Sequence, residues 1–127
     1  MKHPKYLYGL QIIAAAILFT AAAMKFVGNP DAIHVFQSLG MEPQGRYIIG
    51  ILEFFTALFL LSPLAALGSV LSVSIMCGAI IAHVTKLGLV VNHDDGLLVG
   101  MLIVELFCSA YILIVRRKEI PFIGETF

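Results

Sequence analysis

The chain has 127 residues, of which 60% are hydrophobic and only 13% charged, with a mean hydropathy of +0.98 and a formal net charge of zero. An ordinary soluble domain carries about a quarter charged residues, so this composition excludes one, and the balanced charge offers no basic patch for nucleic acid. Length allows a single domain, 1–127, and the class that remains is an integral membrane protein.

The first apolar stretch runs from Tyr6 to Met24. Lys2 and Lys5 precede it and Ala21-Ala22-Ala23 resembles a cleavage site, which is the layout of a signal peptide. The apolar run is long for that role, so the sequence predicts a retained helix over 6–26. Asn29-Pro30-Asp31 then reads as an N-cap with proline in the first turn. Ala32, Val35, Phe36 and Leu39 recur at helical spacing and Gly40 is a fit stop. A short amphipathic helix over 30–39, lying on the membrane surface, is expected.

The second stretch, Tyr47 to Leu61, is short, but Pro43 suits a first helical position and extends it to 43–62, with Arg46 near its mouth. Ser62-Pro63 leaves almost no loop, so the third stretch, Leu64 to Val84, is its antiparallel neighbour, with a helix over 64–86. The aqueous link from Lys86 to Gly96 carries His93, Asp94 and Asp95, which read as a cation site or, more simply, as an N-cap supplied by Asp94 or Asp95. The fourth stretch, Leu97 to Val115, gives a helix over 95–117. Continuous rather than alternating apolar runs argue against strands. The expected fold is all-α, a membrane-embedded antiparallel four-helix bundle with one interfacial helix.

An even number of spans puts both termini on one side, with Lys2, Lys5, Arg116, Arg117 and Lys118. The other side has Lys25, Arg46 and Lys86, diluted by Asp31, Glu42, Asp94 and Asp95. Basic residues favour the cytoplasm, so both termini are expected there, in a bacterial cytoplasmic (inner) membrane.

Two of the stretches carry an acid, Glu53 and Glu105. Counted along the helices, both lie some ~12–15 Å below the outer helix ends, while Lys25 and His83 close the outer ends of the first and third helices. Four stripes bring these groups inward: Gln11, Ala14, Leu18, Ala21 and Lys25; Arg46, Gly50, Glu53 and Ala57; Ser69, Ser72, Met76, Ala79 and His83; Leu98, Met101, Glu105 and Cys108. An acid at the centre of a span costs about 2.5–3.5 kcal/mol on insertion scales. Glu53 is therefore expected to pair with Lys25 or His83, and Glu105 to complete the network. Lys25, Glu53, His83 and Glu105 form the predicted polar, ligand-binding set.

Plainer roles exist for each. Lys25 and His83 can snorkel to the interface, and a buried Glu can serve only to join helices. Cys77 and Cys108 lie in apolar stretches, outside any CxxC or zinc spacing, and read as buried thiols. Gln11 is expected to hydrogen-bond within the inner half of the bundle. With no nucleophile–base pair, metal-ligand set or dinucleotide loop, neither a catalytic residue nor a metal ligand is assigned and independent catalysis is not expected.

The chain resembles the DoxX-like family of small four-helix bacterial membrane proteins. The resemblance is carried by Ala22-Ala23-Met24-Lys25-Phe26, Leu39-Gly40-Met41-Glu42-Pro43, Gly50-Ile51-Leu52-Glu53, Leu60-Leu61-Ser62-Pro63 and Met76-Cys77-Gly78-Ala79 leading to His83. It implies a four-helix integral membrane protein in which the Lys, Gly-x-x-Glu and His positions recur. Named relatives resemble a subunit of thiosulfate:quinone oxidoreductase or belong to complexes handling oxidative or thiol stress, and a distant eukaryotic branch looks like an assembly chaperone for ligand-gated channels. Thiol-oxidising quinone-reductase chemistry does not transfer, since the chain lacks a CxxC.

Three functions follow as expectations. The first is an accessory subunit of a membrane redox or stress-related complex, with a pocket for a quinone-like amphipathic ligand. The second is a scaffold or assembly chaperone whose polar network fixes helix pairing. The third is a proton-coupled carrier using Glu53, Glu105 and His83. The partners expected are the lipid bilayer and either a membrane protein or a second copy, with no nucleic acid.

Overall fold

The computed structural model describes residues 3–90, 96–121 and 124. Five α-helices follow in chain order: α1 Lys5–Phe26, α2 Pro30–Ser38, α3 Gln44–Leu60, α4 Ala65–Ala82 and α5 Leu97–Arg116. A π-helical turn, His83–Leu87, extends α4, and a 3-10 turn, Arg117–Glu119, extends α5. Among the described residues there is no strand. The four long helices pack in a ring, α1 on α3, α3 on α4, α4 on α5 and α5 back on α1. Cross-helix bonds set the directions: Gln11 near the start of α1 donates to Leu60 O at the end of α3, and Tyr6 meets Tyr111 near the end of α5. Neighbours are thus antiparallel.

Local chemistry explains the breaks. Gly28 at φ +73 ends α1, and the Asn29 side chain accepts from Asp31 N at 2.9 Å to start α2. Gly40 at φ +71 stops α2, a backbone region that glycine enters without a Cβ penalty. Both junctions are as the sequence predicts. Before α5 stands Gly96 at φ +85; His93, Asp94 and Asp95, on which the cap and cation readings rest, lie outside the described residues.

The third helix of the chain is shorter than expected. Pro43 is the cap rather than the first helical residue, and Leu61 N and Ser62 N fold onto Leu58 O and Phe59 O at the other end. The remaining 17 residues of α3 span about 26 Å at 1.5 Å per residue, against a hydrocarbon core of ~30 Å. The described helices long and apolar enough to cross a membrane are three: Lys5–Phe26, Ala65–Leu87 and Leu97–Glu119.

The core is built from Leu7, Ala14, Ala15 and Leu18 of α1 with Ala57 and Leu60 of α3, Met76 of α4 and Leu102 and Ile112 of α5. Helix α1 is thus an integral part of the packing. The approach is tight at the α3–α4 turn, where a Cβ on Gly68 would stand 2.8 Å from Leu60 N and 3.0 Å from Phe59 Cβ. Backbone cannot yield there. Gly68→Ala should therefore cost about 1–3 kcal/mol, seen as earlier loss of helical signal on heating in detergent. Gly78→Ala, with nothing within 4 Å of the added Cβ, is the matched control; equal stability of the two variants would refute this account of the turn.

Candidate functional site

The molecule is inverted relative to a soluble protein. Gln11, Arg46, Glu53, Thr56, Ser69, Ser72, Glu105, Ser109 and Arg116 are buried, while Ile12, Leu52, Phe55, Phe107 and Ile114 are exposed. Exposed hydroxyls fold back onto their own helix: Thr20 donates to Ala16 O and Ser74 to Val70 O. That removes free donors from a surface facing lipid.

Between the helices lies a cavity of about 630 Å³. All five helices contribute to its wall, with Leu18, Phe36, Ile49, Met76 and Met101 among the apolar members. Lys25, Glu53, His83 and Glu105 border the same cavity. The side chains singled out in the sequence are therefore neighbours in space, and α2 covers one side through Ala32, Val35, Phe36 and Leu39.

Lys25 Nζ lies 2.7 Å from Glu53 Oε1, with side-chain exposures of 16% and 4%. Of the two partners foreseen for Glu53, the structure selects Lys25. The contact is an ion pair by distance, though its direction leaves Oε1 without a well-aimed hydrogen bond; attraction at this separation does not depend on the angle, so the pairing stands. Gly50 makes it possible: a Cβ there would come within 3.1 Å of the Phe26 ring and 3.3 Å of Lys25 Cβ. The Gly-x-x-Glu spacing thus lets α1 approach α3 one turn from the acid. Arg46 braces the same corner. Its guanidinium donates to Lys25 O and, through Nε, to Glu42 Oε1 at 2.9 Å, and it stacks 4.5 Å from the Tyr47 ring centre. It satisfies a carbonyl in the last turn of α1, where a cation is favoured.

Glu105 is wholly covered. Its Oε2 accepts from Ser72 Oγ at 2.7 Å and from Ser109 Oγ at 3.0 Å, and the two hydroxyls are 2.5 Å apart. Its Oε1 has no hydrogen-bond partner among the described residues. His83 is half-buried at the cavity edge, where its Nδ1 lies 2.9 Å from the O of Gly88, the residue that caps the π turn.

Two expectations are corrected. The buried face of α5 runs Leu102, Glu105, Ser109, Ile112 and Arg116; of the expected stripe, Leu98, Met101 and Glu105 line the cavity, while the buried Ser109 takes the inward place expected for Cys108. Cys77 is exposed on α4 and Cys108 only partly buried, both as free thiols, so they are not the enclosed pair expected. A second polar cluster lies where α1 begins and α5 ends; the sequence foresees the hydrogen-bonding of Gln11 there but gives Arg116 only a topology-setting charge. Arg116 donates to Gln11 Oε1 at 2.8 Å and to Glu119, whose Oε2 lies 2.7 Å from His3 Nε2. Helical phase carried the signal: Arg116 falls on the face shared by Glu105 and Ser109. Among the described residues no group of three or more His, Cys, Asp or Glu side chains is placed to hold a metal.

Long apolar helices, an apolar exterior and polar groups gathered inside define a multi-pass helical membrane protein. The sequence profile of the DoxX-like family matches residues 9–104. The chain belongs to that family; the match covers α2, α3 and α4 in full, α1 from Gly9 onward and the first part of α5, stopping before Glu105. No curated protein and no solved structure matches the chain.

Proposed function

We propose that this protein is a non-catalytic accessory component of a membrane redox or stress-related complex, and that its cavity holds a small amphipathic, quinone-like ligand. The observation that carries the reading is the cavity itself. At about 630 Å³ it falls in the ~300–1,000 Å³ range of small-molecule sites, which are mostly apolar with a few convergent polar groups. Lys25 supplies such a group. Its ammonium has three donors, and Glu53 Oε1 occupies one side of it, leaving the others for a carbonyl acceptor. Apolar residues from every helix suit the ring and tail.

Lys25 and α2 at one end of the bundle and Lys5, Arg116, Arg117 and Lys118 at the other support an orientation. The basic end favours the cytoplasm; on this reading both termini lie there, α2 lies on the opposite surface, and the protein sits in a bacterial inner membrane with four crossings, α3 being the shortest.

The test is titration of a decyl-substituted benzoquinone into the full-length protein in lipid nanodiscs, with native mass spectrometry to count ligands and subunits. Saturable binding is expected, weakened roughly tenfold or more by Lys25→Met, as for a lost hydrogen bond to a charged group. Ala79→Phe, which fills the wall of the cavity, should abolish it. Partitioning alike into wild type and both variants would reject the pocket and favour the scaffold reading.

A further inference from the structure

The cavity is open on one side. Ser74, Gly78 and Ile81 border it, yet all three are exposed. Steps of four and three residues put them on one face of α4, and a Cβ on Gly78 would meet nothing within 4 Å. A wall that is both cavity lining and outer surface is the edge of a gap. The gap lies toward α3, because Ser74 also borders a second cavity, of about 370 Å³, that α3 and α4 share. Leu52, Phe55 and Phe59 of α3 line this groove together with Leu71 and Ile75 of α4. Ser74 and Ile75 belong to both cavities, so the two meet at that point of α4.

The groove is blind at one end. Phe59 is its last residue on α3, and there Gly68 closes against Leu60 and Phe59. Away from that turn the helices part, and Ile49 and Glu53 of α3 line the larger cavity with Gly78 and Ile81 of α4. From Leu52 to Phe59 the groove runs about 10 Å at 1.5 Å per residue. The two hydroxyls that line it are engaged: Thr56 donates to Leu52 O at 2.7 Å and Ser74 to Val70 O at 2.9 Å. Neither proton is left for a ligand. A narrow apolar groove of this kind suits a hydrocarbon chain and not a polar head.

We infer that the groove between α3 and α4 seats the hydrocarbon tail of the molecule whose head lies beside Lys25, an alkyl or isoprenoid chain that leaves the cavity past Ser74 and Ile75. The inference rests on the ligand pocket proposed above and adds a subsite to it. The head stays by the Lys25–Glu53 pair, and the tail runs along α3 toward the α3–α4 turn. Leu52 and Phe55 are exposed at the rim of the groove, so the ligand passes in sideways from the bilayer without its tail leaving hydrocarbon. Lipid tails are as apolar as these side chains. The groove therefore adds little affinity; what it fixes is where the tail lies, and the test reads position.

A benzoquinone whose decyl chain ends in a diazirine is bound to the full-length protein in nanodiscs and irradiated. Mass spectrometry maps the labelled residues with and without excess untagged decyl-benzoquinone. Label lost on competition should fall on Leu52, Phe55, Phe59 and Leu71. Leu71→Trp, which fills the blind end of the groove, should lose that label while saturable binding of the untagged ligand persists. Ile114→Trp, on the exposed face of α5, should keep both. The wild-type map decides the matter should Leu71→Trp fail to fold. Label spread over lipid-facing residues such as Ile12 and Phe107, with none competed from the groove, overturns the tail seat and leaves the pocket standing. So does a tail-tagged phosphatidylcholine that labels the groove equally with and without the quinone, which makes it a seat for bilayer lipid. Absence of saturable binding of the untagged ligand overturns pocket and seat together.

Discussion

Lys25→Met is expected to destabilise the protein by about 3–5 kcal/mol, the cost of leaving one member of a buried ion pair without its partner. Glu53→Gln should cost less, about 1–3 kcal/mol, because Gln still accepts a hydrogen bond and the long Lys25 side chain can turn toward the interface at the end of α1. The asymmetry follows from burial: Glu53 is 4% exposed at the side chain and Lys25 16%, so the carboxylate has nowhere to go. The double variant Lys25→Met/Glu53→Gln should be more stable than Lys25→Met alone, since it removes the stranded charge. Thermal unfolding of all four proteins in one detergent, run as a double-mutant cycle, measures the coupling, which should fall in the upper part of the 0.5–3 kcal/mol seen for contacting residues. A lysine that merely snorkels predicts something else: a near-neutral Lys25→Met and additive effects.

The pairing was readable in the sequence because two constraints coincide. Gly50 and Glu53 are three residues apart, hence on one helix face, and Lys25 ends the preceding apolar stretch. An antiparallel link then puts the end of the first long helix beside the start of the next. Asn29-Pro30 and Gly40 were equally legible, since caps and left-handed stops are local chemistry. Helix α5 was not. Alternating steps of three and four from Glu105 lead to either Cys108 or Ser109, and apolar side chains all round the helix give little weight to either. The deciding clue is inverted amphipathicity: in lipid the more polar residue faces the bundle, which selects Ser109 and then Ile112 and Arg116. The boundaries of α3 depend on how Leu61 and Ser62 close their turn, and nothing in the local sequence settles that. Nor could any pattern foretell the cavity, which exists because five helices of unequal length leave volume between Lys25, Glu53 and Glu105.

Arg116→Met should cost about 2–3 kcal/mol, the scale of hydrogen bonds to a charged group, although a basic residue at the end of a span is ordinarily a topology signal. Arg116 is 7% exposed and its guanidinium makes contacts in several directions at once. Its Nε donates to Gln11 Oε1 at 2.8 Å, its NH1 reaches Glu119 Oε1 at 3.0 Å, and its centre lies 5.3 Å from the Tyr8 ring. Gln11 in turn donates to Leu60 O at 2.8 Å, so one chain of bonds ties α5 to α1 and α1 to the last residue of α3. Removing the arginine strands Gln11 Oε1 in a buried place; removing Gln11 strands Leu60 O. Arg116→Lys should recover little, because an ammonium cannot span the fork between Gln11 and Glu119 or stack on the ring as a guanidinium does. Arg117→Gln is the internal control, since among the described residues the exposed Arg117 donates only to Ile114 O, one turn back on its own helix. If charge near the cytoplasm were all that mattered, Arg116→Lys would behave as wild type and the two arginines would be interchangeable. Unfolding midpoints that rank Arg116→Met and Arg116→Lys together, well below Arg117→Gln, are what the bonding geometry requires.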